Sequence, residues 1–124
     1  MELKVGMYVR IDGRNADSIK YHSWFMIDKI RHISNEKSKY KYYIKEDIDG
    51  YCFAVSNKMI AKASFNIADV LEAGDIAYML AYGIPVLKPI SESDILEIKL
   101  GNFQVIRVAT KEQFESMSYK VDND

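Results

Sequence analysis

Apolar and polar positions alternate with period two in two stretches of the chain, Leu3–Ile11 and Lys39–Lys45, and each is followed by an Asp-Gly turn signal. Leu3–Ile11 alternates around Gly6 and stops at Asp12-Gly13, which predicts a first strand and a turn. Residues 14–19 are polar and read as a loop. Tyr21–Ile33 follows; Met26, Ile30 and Ile33 also fit helical spacing, but the aromatic and β-branched content favours a strand. Ser34–Ser38 reads as a polar turn. Lys39–Lys45 then alternates with period two, Asp49-Gly50 fits a type I′ turn, and Tyr51–Val55 returns as the hairpin partner. Ser56–Lys58 reads as another turn, before a short strand at Met59-Ile60.

The period changes at residues 64–71. Ser64 can cap, and Ile67, Val70 and Leu71 fall on one helical face, so a short helix is expected to join two halves of the chain. Glu72–Met79 opens a second β unit, and Tyr82-Gly83 marks a turn. Pro85 confines Ile84–Leu87 to a sheet edge or a strand start. Ile95–Leu100 and Phe103–Val108 read as strands flanking a Gly101-Asn102 hairpin turn. Thr110-Lys111-Glu112-Gln113 is a capping box that predicts a helix over 111–116. Ser118–Val121 reads as a last short strand, with a frayed end at 122–124.

One pattern recurs. Leu3-Lys4-Val5-Gly6-Met7-Tyr8-Val9 and Leu71-Glu72-Ala73-Gly74-Asp75-Ile76-Ala77 share a leucine, a charge, a small apolar residue, a glycine and then a strand. The expected fold is therefore mostly β with a minor α part: two small SH3-like, barrel-like halves, 1–62 and 63–124, joined by the 64–71 helix and closed by the 111–116 helix. A single mixed β domain with an accidental echo is the other arrangement. Units of about 60 residues bury only ~60% of their unfolded surface and gain from packing on each other.

Composition adds little until charge is divided between the halves. Apolar residues make up 48% of the 124 and charged residues 28%, the balance of a globular protein rather than a disordered one. The net charge of −1 hides an asymmetry: residues 1–62 hold 12 Lys/Arg and 8 Asp/Glu, or +4, and residues 63–124 hold 5 and 10, or −5. The acidic half could dock on a basic surface. Cys52 is the only cysteine, which fits a reducing compartment. No apolar run is long enough to span a membrane, and the N-terminus lacks a signal-peptide pattern.

Three stretches together carry a resemblance: Glu2–Arg10 (ELKVGMYVR), Lys62–Asp75 (KASFNIADVLEAGD) and Thr110–Val121 (TKEQFESMSYKV). In them the chain resembles a group of small uncharacterised proteins carried by phages and mobile elements of Gram-positive bacteria. It departs after Asp75, where such proteins carry a polar Val-Asn-Gly-Tyr turn and this chain has Ala77–Tyr82. The resemblance implies a mobile-element setting, in the cytoplasm of a bacterial host, where small proteins often block host defence, CRISPR nucleases included. It transfers no functional residues.

The sequence offers no catalytic motif, so binding is expected rather than catalysis, with no cofactor and no metal. His22 and His32 lack zinc spacing, and Cys52 has no nucleophile signature. The leading expectation is an inhibitor that binds a host protein, a Cas nuclease or its guide complex, by occupying a basic nucleic-acid-binding surface. Its candidate contact residues are Asp69, Glu72, Asp75, Tyr78, Tyr82, Glu92, Asp94 and Glu97 of the acidic half. The alternative is nucleic-acid binding by Lys37, Lys39, Lys41, Tyr43 and Lys45, which mix cations with an aromatic on one strand face. Against it stand a sequence pI near 6 and the use of lysines to protect edge strands. Trp24-Phe25 reads as a core pair or an interface anchor. A homodimer through the Tyr78/Met79/Tyr82 cluster and a phage structural role are the remaining expectations.

Overall fold

The computed structural model describes residues 2–15, 25–36, 39–46 and 52–117. It is mostly β with a minor α part. Among the described residues nine strands form three antiparallel sheets of three strands, and these sheets do not close into one barrel. The first sheet joins β1 (Tyr8–Ile11), β2 (Met26–Lys29) and β6 (Ile60–Ser64), with β1 in the centre. The second joins β3 (His32–Glu36), β4 (Lys39–Glu46) and β5 (Cys52–Val55) around β4. The third joins β7 (Ile76–Ala81), β8 (Ile84–Pro89) and β9 (Phe103–Ala109) around β7. Helix α1 (Glu92–Lys99) lies between β8 and β9, and α2 (Lys111–Met117) follows β9.

The recurring glycine motif marks a structural repeat. Gly6 and Gly74 have φ of +94° and +98°, a region open to glycine at little cost. Around each glycine the chain makes the same three backbone bonds. Gly6 donates to Ile30, Met7 to Lys4, and Ile30 back to Met7; Gly74 donates to Ile90, Asp75 to Glu72, and Ile90 back to Asp75. The central strand then pairs with a hairpin partner on one side and a later strand on the other. Even the irregularity recurs: the register slips between Arg10 and Ile11 in the first unit and between Tyr78 and Met79, their counterparts, in the second. A short helical segment follows each third strand, Ile67–Val70 as a 3-10 turn and then α2.

The units differ in what covers the inner face of the repeated sheet. In the first, Val9 and Ile11 meet Tyr42, Ile44 and Val55 of the second sheet. In the second, Ala77 and Met79 meet Ile98 of α1 and Ile90, with Ala68 and Leu71 from the junction. The 62/63 boundary falls inside β6: Ala63 packs against the first core, and Ile67, Ala68 and Leu71 pack into the second.

Several expectations need correction. Ile95–Leu100 is not a strand. Ser91 and Asp94 form a reciprocal capping box at the start of α1. Gly101 donates to Ile98 and Asn102 to Glu97, the paired bonds of a Schellman C-cap rather than a hairpin turn. The 64–71 helix shrinks to Ile67–Val70, capped by Asn66, because Ser64 belongs to β6. The 21–33 strand is interrupted at Ile30-Arg31, so its described part is β2 and the start of β3, and Ser34–Glu36 extends β3 rather than turning. The capping box at Thr110 is present: Gln113 Oε1 accepts from the Thr110 amide and Thr110 Oγ1 from the Gln113 amide. Pro85 lies on an edge strand, as its missing donor requires. Trp24, His22, Lys37, Asp49-Gly50 and 118–124 lie outside the described residues.

Candidate functional site

The most elaborate polar cluster sits where the second unit covers the first. Arg10 alternates with Val9 and Ile11 on β1, so it points away from the first core. It is buried, and its guanidinium is bidentate on Asp75, at 2.7 and 3.0 Å. It also donates to the Val70 carbonyl at 3.1 Å, and it pairs with Glu112 at 3.1 Å and Glu72 at 3.2 Å. Lys62 and Lys111 close the network on Glu72 at 3.4 and 3.0 Å.

Asp75 is fully buried and takes two backbone amides as well, from Glu72 at 2.9 Å and from Lys111 at 3.0 Å. Burial acts to raise its pKa. The Arg10 hydrogen bonds, the two amides and the Arg10 charge outweigh burial and hold the carboxyl below its ordinary range. Burial acts likewise on Glu72, and Lys111, Arg10 and Lys62 together bring its pKa down. Nearby, buried Thr110 donates from its hydroxyl to the Phe25 carbonyl at 3.2 Å, and Ile27 of β2 packs against the second core. The cluster is therefore a clamp between units, with three cations and three carboxylates.

This placement changes the meaning of the charge asymmetry. Arg10 and Lys62 come from the basic half, and Glu72, Asp75 and Glu112 come from the acidic half together with Lys111. Setting these six groups aside takes two positive charges from the first half and a net two negative charges from the second, so +4 and −5 become +2 and −3. Much of the asymmetry is spent inside the molecule.

The eight acidic and aromatic candidates do not form one site. Asp75 and Glu72 belong to the clamp, and Asp75 presents nothing to a partner. Asp94 is buried at the third position of α1, where it accepts from the Ser91 amide and pairs with Lys88 at 3.0 Å. Asp69, Tyr82, Glu92 and Glu97 gather around α1. Asp69 is exposed, bonded by Ser64 at 2.7 Å and by Lys99 at 3.1 Å. Tyr82 reaches Glu97 with its hydroxyl and meets Phe103 edge-on at 5.4 Å. Glu92 is exposed. Leu96 and Leu100, one and two turns beyond Glu92, are 54% and 64% exposed. Tyr78 points to the opposite face of the sheet, away from α1.

The lysine face is only partly described. β4 is the central strand of its sheet, not an edge. Tyr42 and Ile44 are buried, Lys41 is exposed, and Tyr43 packs on His32 with ring centroids 5.6 Å apart. Lys37 and the side chains of Lys39 and Lys45 lie outside the described residues. Among the described residues no group of three or more His, Cys, Asp or Glu side chains could hold a metal ion, and no helix is long and apolar enough to cross a membrane.

Sequence reasoning missed Arg10. Its signal was a lone cation between two core positions of a strand. No protein-family model matches the chain, and neither the curated proteins nor the solved structures contain a match to it.

Proposed function

We propose that the protein works by binding, as a phage or mobile-element inhibitor of a host defence protein, with a CRISPR effector nuclease as the leading target. The observation that carries this reading is the outer stripe of α1. Leu96 and Leu100 stand in solvent with Glu92 one turn before Leu96; on the same helix Lys99 is paired with Asp69, and Glu97 is met by the Tyr82 hydroxyl. Exposed apolar anchors on a helix whose carboxylates outnumber its one lysine suit a basic groove built for nucleic acid: the leucines supply buried area, and the carboxylates supply steering and register. The resemblance of the three sequence stretches to phage proteins supports the setting. The small SH3-like character of the units is part of the same reading.

The test is a cleavage assay with a purified, guide-loaded nuclease of the host. The protein should suppress cleavage, less so as salt rises, and Leu96→Asp with Leu100→Asp should restore it. Unchanged inhibition by the double variant would remove α1 from the contact. No binding to any defence nuclease of the host would refute the reading.

A further inference from the structure

The repeat shows which sheet faces are covered and which is not. In the first unit the outer face carries Ile27, Arg10 and Lys62 in one cross-strand row. That face is covered by the second unit: Ile27 enters the second core, Arg10 meets Val70 and Asp75, and Lys62 meets Glu72. The same row in the second unit is Leu87, Tyr78 and Arg107. Here nothing described covers it. Leu87 is 69% exposed, Tyr78 37%, and Ile106 at the register slip 47%. They line a shallow groove of about 670 Å³ with Ile76, Arg107 and Ala109, in which Arg107 is the one charged group.

We propose that this face docks an apolar, carboxylate-bearing segment of a second protein, much as the equivalent face of the first unit takes residues 70–75 of its own chain. The surface lies on the opposite side of the sheet from α1 and goes beyond the inhibitor reading. Charge selects the occupant. Arg107 stands where Lys62 stands, and Lys62 is met by a carboxylate at 3.4 Å. No carboxylate among the described residues meets Arg107.

A second copy of the chain fits poorly in either arrangement. Stacked head to tail, it would offer its own leading turn, with Lys4 in place of Glu72 and Met7 in place of Asp75, and so bring a cation towards Arg107. Packed face to face, two copies would enclose two guanidinium groups without a partner, because Arg107 is the one charged group of the groove.

Strand addition at the adjacent edge is blocked. Tyr82 and Gly83 both have positive φ, 51° and 82°, and make a two-residue turn between Ala81 and Ile84. The alternation that follows aims the amides of residues 85, 87 and 89 at the free edge, and two of these three are prolines. The segment therefore approaches the face rather than the rim.

The probe is a synthetic peptide of residues 66–75 of this chain, titrated to millimolar concentration into the isotope-labelled full chain while amide shifts are recorded. The expected result is saturable shifts confined to residues 76–80, 85–89 and 104–109. Peptide with Glu72→Gln and Asp75→Asn should bind roughly tenfold or more weakly, and so should intact peptide to the exposed-site variant Arg107→Glu. Absence of shifts, or shifts centred on Tyr8–Ile11, overturns the proposal, as does binding indifferent to the carboxylates and to Arg107. Sedimentation showing dimers that Leu87→Lys dissolves would place a second copy on the face and overturn it as well. None of these outcomes depends on nuclease inhibition.

Discussion

Replacing Asp75 by alanine tests how the two units are held together. The substitution strands Arg10 in a buried site, since the bidentate partner at 2.7 and 3.0 Å is gone while the guanidinium stays enclosed. Removing one partner of a buried pair costs about 3–5 kcal/mol. Glu112 and Glu72 remain within 3.1 and 3.2 Å of Arg10 and lower that cost. The amides of Glu72 and Lys111 lose their acceptor, at about 1 kcal/mol each. A net loss of about 3–4 kcal/mol follows, equivalent to roughly a 10–15 °C fall in Tm for a chain of this size. Thermal and urea unfolding followed by circular dichroism read it directly. The double variant Arg10→Met with Asp75→Ala should recover part of the loss, because no buried charge is then unpaired.

The pH dependence has a fixed sign. Asp75 is depressed in the folded state, so its contribution is complete above the unfolded carboxyl value, ~3.9, and is lost as pH falls towards the folded value. Wild-type stability should therefore drop more steeply below pH 4 than that of Asp75→Asn. A loss under about 1 kcal/mol for Asp75→Ala, or parallel acid profiles, would refute the clamp.

Further predictions concern the repeat, the helix cap and the lysine strand. Gly6→Ala and Gly74→Ala should each cost about 1 kcal/mol or more, and by similar amounts, because both turns hold positive φ; chemical denaturation of the two variants checks the equivalence. Ser91→Ala should cost about 1 kcal/mol and speed amide exchange in the first turn of α1, where its hydroxyl accepts from Asp94. Labelled single-stranded DNA should not be retained at physiological salt; retention abolished by Lys41→Glu would instead support nucleic-acid binding through β4.

What could be read from the sequence follows the range of each signal. The Thr110 capping box, the Pro85 edge and the glycine turns are local, and their residues act within a few positions of themselves. Helix α1 is not legible in the sequence because Ile95, Leu96 and Ile98 form too short a run to fix a period, and Gly101 serves equally in a turn or at a helix end. Packing of Ile95 and Ile98 on the β7 side of the core, together with caps at both ends, decides for the helix. The clamp was half visible. The opposite charges of the halves could be counted, but the contact between Arg10 and Asp75 spans 65 residues and needs the fold. The repeat itself held a clue: Asp75 occupies the position of Met7, so the second unit carries a carboxylate where the first needs an apolar side chain.

Direct binding to a guide-loaded host nuclease, measured by calorimetry with wild-type protein and with Leu96→Asp/Leu100→Asp, tests the functional claim most directly. A saturable complex is expected for the wild type, with a loss of at least tenfold in affinity for the variant, whose fold should be intact because both leucines are exposed. Equal affinity for the two proteins, or no complex with any defence nuclease of the host, would contradict that claim.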